Sequence, residues 1–260
     1  MKVLLLGATG NVGSRALPAL IKHGHTVIAY VRSPAKLAPE QRAVLAGVVT
    51  GLVTDKPALK TAILAHNCDA VFHAAGLAQM WGRSQTGEYN TMFATVVAAI
   101  VEARKERRGP AIRAWLMSGF PMLDLNSAIP TRLIGDYMPM FPEHRQNLAL
   151  IQEQEEEDIA WSLFCASQLT PKHKEARIPA PDDCSAANVV AGAGSPPEWR
   201  DTLAWVPLIG PYLNILSQAG GYATSSEDPL DFIAADLEEG RQSEFIGKKV
   251  GFKLKRKKAT

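Results

Sequence analysis

The sequence predicts an α/β protein, a Rossmann-type doubly wound parallel sheet with a small irregular C-terminal lobe. Three observations carry this. Lys2 to Leu6 is an apolar run short enough to be a strand buried on both faces, and Thr26 to Val31 is a second. Between them stand the glycine turn Gly7-Ala-Thr-Gly-Asn-Val-Gly13 and a helix expected over Ser14 to His23. Ala16, Leu17, Leu20 and Ile21 form its apolar stripe, and Gly24 is its stop. A strand, turn, helix and strand within about thirty residues is the size of a βαβ unit. The same alternation then repeats, with strands expected at Ala43 to Thr50, Cys68 to Gly76, Ala114 to Ser118 and Ile159 to Cys165.

The glycine turn has a physical task. Glycines let the backbone turn tightly and admit a pyrophosphate, while the helix start offers unpaired N–H groups to anionic oxygens. The spacing is G-x-x-G-x-x-G, and its place between a buried strand and an amphipathic helix favours nucleotide binding over an ordinary turn. Gly7, Thr9, Gly10, Asn11, Val12 and Gly13 are the candidate cradle. At the end of the second strand a carboxylate would read the ribose of NAD, whereas an arginine accommodates the extra phosphate of NADP. This chain has Val31-Arg32-Ser33-Pro34, with no acid until Glu40. Arg32 and Ser33 therefore point to NADP(H), against the plainer reading of a solvated loop arginine.

The glycine turn followed by Val31-Arg32-Ser33-Pro34 resembles the NmrA-like branch of the atypical short-chain dehydrogenase/reductases. The resemblance covers the chain to about residue 170 and implies a Rossmann fold that binds NADP(H). Within that branch the chain looks most like the small oxidoreductases of fungal aromatic polyketide pathways, a narrower match that includes Trp161 to Gln168. In relatives an aspartate after the third strand contacts the adenine; here Leu52 stands in its place, leaving apolar contact. Asp55 reads as a helix cap.

Composition agrees with a soluble enzyme. The 260 residues, 47% hydrophobic and 21% charged, suit one large domain, with 1–170 as the nucleotide-binding core and 171–260 as a substrate or lid region packed on it. A net charge of +2 gives no reason to expect nucleic acid or membrane as partner. Cys68, Cys165 and Cys184 are an odd count without metal spacing, so a reduced compartment and no metal are expected. Met1 leads straight into a core strand, which is read as leaving no room for a signal peptide. The expected location is cytoplasmic.

The remaining segments supply site candidates. Lys36 to Arg42 reads as a polar connection, and a helix is expected near Pro57 to Leu64. The fourth strand ends in Ala74, Ala75 and Gly76, small residues that let a ribose lie against the backbone; His73 before them reads mainly as core. Leu77 to Asn90 reads as a loop over the site, with Trp81 as a substrate contact, and Thr91 to Arg107 as a long helix. The basic cluster at its end completes a helix C-terminus.

Ser118 closes the fifth strand, where members of the superfamily hold a substrate carbonyl. Their proton donor is a Tyr-x-x-x-Lys pair, and none of the five tyrosines here is followed four residues later by lysine. His144, Tyr137 and Asn147, in or before the helix opening near Pro139 and running to Glu157, are the candidates that replace it. Gln168 follows the sixth strand, where relatives pass over the nicotinamide. From Pro171 to Gly221 prolines, glycines and aromatics are dense, which suits loops or a small lobe lining an apolar pocket. A final helix is expected over Pro229 to Gly240, a short strand at Val250 to Phe252, and a basic tail from Lys253 to Lys258.

Three readings follow. The first is an NADPH-dependent oxidoreductase of a small aromatic, polyketide-like substrate, with Ser118 and His144 managing the proton. The second is a cofactor-sensing regulator without turnover, and the third a non-redox isomerase or ring-opening catalyst on the same scaffold.

Overall fold

The computed structural model describes residues 1–76, 87–125, 132–203 and 205–255. In chain order the elements are β1 (Lys2–Leu6), α1 (Asn11–Lys22), β2 (Thr26–Val31), α2 (Pro39–Val44), β3 (Gly47–Thr50), α3 (Lys56–Ala65) and β4 (Ala70–His73). They continue as α4 (Glu88–Arg107), β5 (Ile112–Gly119), α5 (Glu143–Gln152), β6 (Ile159–Ala166), β7 (Leu169–Thr170) and β8 (Val189–Ala193). The chain closes with α6 (Gly210–Gln218), β9 (Thr224–Ser225), α7 (Glu227–Glu239) and β10 (Lys248–Leu254).

Eight strands form one sheet in the order β3-β2-β1-β4-β5-β6-β10-β8. All neighbours are parallel except β8, which runs antiparallel to β10. The order reverses between β1 and β4, and that is where an open α/β sheet leaves a crevice at its carboxyl edge. Alternate residues of each strand face opposite layers. On one side Leu4, Leu6, Val71, Ile112 and Leu116 pack against Leu59 and Ile63 of α3, Val96 and Ile100 of α4, and Leu148 and Ile151 of α5. On the other, Val3, Leu5, Phe72, Trp115 and Phe164 pack against Leu17 and Leu20 of α1 and Leu230, Ile233 and Leu237 of α7. Among the described residues no helix is long and apolar enough to cross a membrane.

Several elements differ from the sequence expectation. Pro39 opens a short helix inside the segment read as a polar connection, and this leaves β3 only Gly47–Thr50. Tyr89 and Asn90, read as loop, lie in the first turn of α4. α5 is shorter than expected at both ends. Asp158, which follows it, pairs with Arg104 at 3.1 Å and Lys105 at 3.0 Å, so part of the basic end of α4 is ion-paired.

The largest difference is C-terminal. β8 and β10 extend the central sheet rather than forming a lobe, and the short β7 pairs in parallel with β9. Irregular backbone is confined mainly to 171–188 and 194–203. Two elements come from a region whose prolines masked them: Val189–Ala193 and the helix after Pro211.

A buried ion pair ties α7 to the sheet. Arg113 on β5 is fully buried and donates to Asp236 at 2.7 Å, and the Trp115 indole and Ser243 hydroxyl donate to the same carboxylate. Removing one partner of such a pair strands the other charge. Asp236→Ala is therefore expected to destabilise the protein by roughly 3–5 kcal/mol in denaturant melts. A loss below about 1 kcal/mol, the range of a surface pair, would show that the pair does not hold α7.

Candidate active site

The cradle is built by backbone contact. Gly7 sits at φ +86, and a Cβ there would lie 2.8 Å from the Ala74 carbonyl and the Ala75 nitrogen. A Cβ on Gly13 would lie 2.1 Å from the Gly7 oxygen. No side chain fits at either place. Gly10 donates to the Gly7 carbonyl at 2.8 Å and serves as the N-cap of α1 without a capping side chain, and the first turn holds no acid. The helix start is thus left for an anion.

Thr9 and Gly10 are exposed and Val12 is half-buried. The Asn11 side-chain oxygen accepts from Arg15 at 2.6 Å, which ties the first residue of α1 to the next turn. Arg15 itself is buried and donates to Glu227 of α7 at 3.0 Å. The sequence reading did not single it out, because an arginine one turn into a helix looks solvated.

Arg32, at the end of β2, is exposed and has no hydrogen bond or ion pair among the described residues. Ser33 follows it as the N-cap of a single turn, with no side-chain cap bond. Leu52 is 53% exposed, and its carbonyl accepts from the buried Tyr30 hydroxyl at 3.2 Å. Asp55 accepts from the Ala58 amide at 3.0 Å, the helix cap expected of it.

From the cradle a line of contacts runs along the sheet edge. Ala74 and Ala75 touch Gly7, and Gly76 at φ +111 leaves room for the Tyr89 ring, which a Cβ would meet at 2.7 Å. Tyr89 stands edge-on to His144, with ring centroids 5.2 Å apart at 89°. The His144 ring lies over Gly119, where a Cβ would come within 2.8 Å of Cδ2. Nucleotide cradle and fifth-strand end are therefore connected by glycines that admit larger side chains.

At that end Ser118 is buried, its hydroxyl interacting with the Cys165 thiol. Beside it in register on β6 stands Cys165, whose thiol burial pushes up to about 12, a packing residue rather than a nucleophile. Burial pushes His144 down to about 4, so its imidazole is neutral near pH 7. Asn147 is buried one turn further along α5 and accepts from Asn90 of α4 at 2.7 Å, while its own Nδ2 has no partner.

Other candidates fall elsewhere. The Tyr137 hydroxyl accepts from Arg132 at 2.7 Å, and no described contact links it to Ser118 or His144. Gln168 is exposed after β6, its carbonyl taken by the Thr224 amide at 3.0 Å. Trp81 lies outside the described residues. His73 is fully buried against Phe93, and burial alone lowers it to about 4, a core residue. One metal-ligand-type trio is present among the described residues, His173, Asp183 and Cys184, its histidine and aspartate joined at 3.1 Å.

Tyr89 and Asn90 were missed because the helix was started too late. The apolar spacing Tyr89, Phe93, Val96, Val97, Ile100 was the signal that would have extended it. Behind Gly119, Phe120 packs on Tyr222 with centroids at 5.1 Å, and Trp199 packs on Tyr222 at 5.7 Å. Two of the C-terminal aromatics thus build an apolar wall beside the fifth-strand end. Trp205 and Tyr212 stay exposed.

The profile of one family, described as NAD(P)H-binding, matches residues 7–187, from the first glycine of the cradle to the segment before β8. The chain belongs to the NAD(P)H-binding family. Its members' cofactor is a nicotinamide nucleotide, and the glycine cradle has the form such a group requires. A curated relative is 30% identical over 135 residues: 4-hydroxy-2-methyl-3-oxo-4-farnesyl-3,4-dihydroquinoline-1-oxide ketoreductase of Stigmatella aurantiaca. That match spans 50% of this chain and 39% of the relative.

Solved structures share the fold. A Burkholderia pseudomallei protein superposes with TM-score 0.63 at 20% identity over 97% of this chain and 99% of that one. The oxidoreductase ylbE of Lactococcus lactis gives 0.61 at 13% identity over 98% and 92%. A Rossmann-fold NAD(P)-binding family protein of Shigella flexneri gives 0.56 at 16% over 100% and 96%.

The buried histidines predict an acid limit. His73 and His144 have folded values near 4, below the unfolded value of 6.5. Between those values the unfolded chain binds more protons, so stability is complete above about pH 6.5 and falls as pH drops toward 4. Each histidine contributes up to about 3 kcal/mol across that window. Urea melts from pH 7 to 4 should show the loss, and His73→Phe should reduce it. A flat profile would mean that neither histidine is buried as a neutral ring.

Proposed function

We propose that this chain is an NADP(H)-dependent oxidoreductase of a small aromatic ketone or quinone of polyketide type, working in the cytoplasm in secondary metabolism. The observation that carries the reading is the continuous edge from the Gly7–Gly13 cradle through Gly76 and Tyr89 to His144 and Gly119. When bound, a nicotinamide supplies or accepts a hydride. Gly7, Gly10 and Gly13 would hold the pyrophosphate, and Arg32 with Ser33 the ribose phosphate that distinguishes NADP. Ala74, Ala75 and Gly76 would lie along the ribose.

Ser118 and His144 then face the reacting carbonyl. The Ser118 hydroxyl, whose partner in this structure is the weakly accepting Cys165 thiol, is a buried donor suited to a carbonyl oxygen, and the neutral His144 ring orients the substrate hydroxyl. The apolar wall of Phe120, Tyr222 and Trp199 suits a flat ring. The Stigmatella relative is, by its name, a ketoreductase of a 3-oxo-3,4-dihydroquinoline-1-oxide, which supports a ring ketone as the substrate class.

A second reading, a cofactor-responsive regulator without turnover, is favoured by one observation. Trp205, Leu208, Ile209, Tyr212 and Leu216 recur at helical spacing before and along α6 and are 48–100% exposed. An apolar stripe of that kind suits a protein partner.

The deciding experiment titrates the protein with NADPH and NADH, then adds aromatic ketones and quinones in the same tube. Tight NADPH binding with oxidation on adding substrate supports the reductase. Tight binding without oxidation across the panel moves the weight to the regulator, and binding of neither nucleotide sinks both. Arg32→Ala should weaken NADPH by about 1–3 kcal/mol while NADH changes little, since a hydrogen bond to a charged group is at stake. Equal losses would refute its phosphate role. His144→Ala should lower turnover about 10²-fold or more with cofactor affinity kept. Unchanged turnover would place the proton chemistry on other groups.

A further inference from the structure

A neutral imidazole carries its proton on one of two nitrogens, and the neighbours of His144 decide which. The Tyr89 hydroxyl lies 3.1 Å from the Met117 backbone carbonyl and 3.4 Å from His144 Nδ1. A carbonyl only accepts, so the single phenolic proton goes to Met117, the shorter contact. What the phenol then offers Nδ1 is an oxygen lone pair, which calls for an N–H on that nitrogen. Nε2 is left with the lone pair. It has no hydrogen-bond partner among the described residues and lies 3.1 Å from the place a Gly119 Cβ would occupy.

We propose that Tyr89 is a positioning residue that holds His144 as the Nδ1–H tautomer, so that Nε2 stands beside Gly119 as an acceptor and selects ligands carrying a hydroxyl. The selection of ligands rests on the reading of this edge as the substrate cleft; the tautomer does not.

The edge-on packing of the two rings, at 89°, fixes the imidazole plane as well as its proton. Burial removes the competing doubly protonated state, since the ring is lowered to about 4. Tyr89 is itself immobilised, 4% exposed in the first turn of α4 with its ring against Gly76. Hydrogen-bonded support of this kind is what sets a histidine's tautomer at working sites. An aromatic compound with a free hydroxyl next to its carbonyl would present that hydroxyl to Nε2. Its methyl ether has no proton to give.

The test is direct nitrogen NMR on the full chain labelled with ¹⁵N-histidine, without ligand, at neutral pH. Among the six histidines, the His144 signals are identified by their loss in His144→Asn. The expected spectrum shows Nδ1 protonated and Nε2 bare, and Tyr89→Phe, which keeps the ring, should move the proton toward Nε2. A wild-type Nε2–H ring, an imidazolium, or an unmoved tautomer in Tyr89→Phe would overturn the proposal. Should Tyr89→Phe fail to fold, the wild-type spectrum still decides the tautomer.

A second arm measures naphthol against methoxynaphthalene on the NADPH-saturated protein. About a tenfold preference for the hydroxyl compound is expected, the worth of one hydrogen bond, and it should vanish in Tyr89→Phe. Equal binding in the wild type overturns the ligand selection. Absence of turnover with any ketone would count against the oxidoreductase reading alone, because the spectra and the binding ratio need no reaction.

Discussion

Between the Gly7 carbonyl and the first turn of α1 there is no room for a methyl group, and the nucleotide end of the fold depends on that. A Cβ on Gly13 would come within 2.1 Å of the Gly7 oxygen, and one on Gly7 would press on Ala74 and Ala75 of the neighbouring strand. Loop, helix start and the end of β4 are thus pulled to contact distance. The first turn of α1 carries no capping side chain and no acid, which leaves its N–H groups open to an anion. Structure and binding make the same demand on these positions.

A cradle made of backbone needs its helix held still, and the C-terminal half does that. Arg15 of α1 reaches Glu227, Lys22 reaches Asp231 at 2.9 Å, and His25 bonds the Ala234 carbonyl at 2.7 Å, all on α7. α7 is in turn fastened to β5 through Asp236 and the fully buried Arg113. Residues more than two hundred positions away therefore fix the helix that presents its N-terminus to the nucleotide. The C-terminal region is thus a clamp on the helix that follows the glycine turn.

The glycine turn, β1, β2 and the order of the parallel strands were legible because each is written locally, in short apolar runs and in positions only glycine can fill. Asp55 was legible as a cap for the same reason. Arg15 and Asp236 were not, since a buried charge is indistinguishable from a solvated one until its partner, distant in sequence, is brought beside it. β8 was obscured by the prolines and glycines around it, whereas the strand expected at Val250 to Phe252 is present and longer, as β10; their pairing, Val250 with Ala193 and Gly251 with Gly192, places both in the central sheet. At the site, Ser118, His144 and Asn147 were candidates by their place in a known pattern of elements. Tyr89 was lost to a helix boundary set three residues late.

Ser118, Tyr89, His144 and Asn147, at the fifth-strand end, are neutral, and this constrains the chemistry they can support. His144 is held well below neutrality by burial, and the same burial raises the Tyr89 hydroxyl above its usual range. Neither gives up a proton as readily as the lysine-assisted tyrosine that the superfamily uses and this chain lacks. A hydride added to an isolated ketone leaves an alkoxide, a strong base that requires such a donor in the transition state. A hydride added to a quinone, or in conjugate fashion to an unsaturated ring ketone, leaves a phenolate or enolate, a much weaker base, for which hydrogen bonds from Ser118 and orientation by a neutral histidine suffice. Under the oxidoreductase reading, the missing acid and the aromatic wall are therefore one adaptation: the substrate's own ring carries the charge that a lysine-assisted tyrosine would otherwise meet.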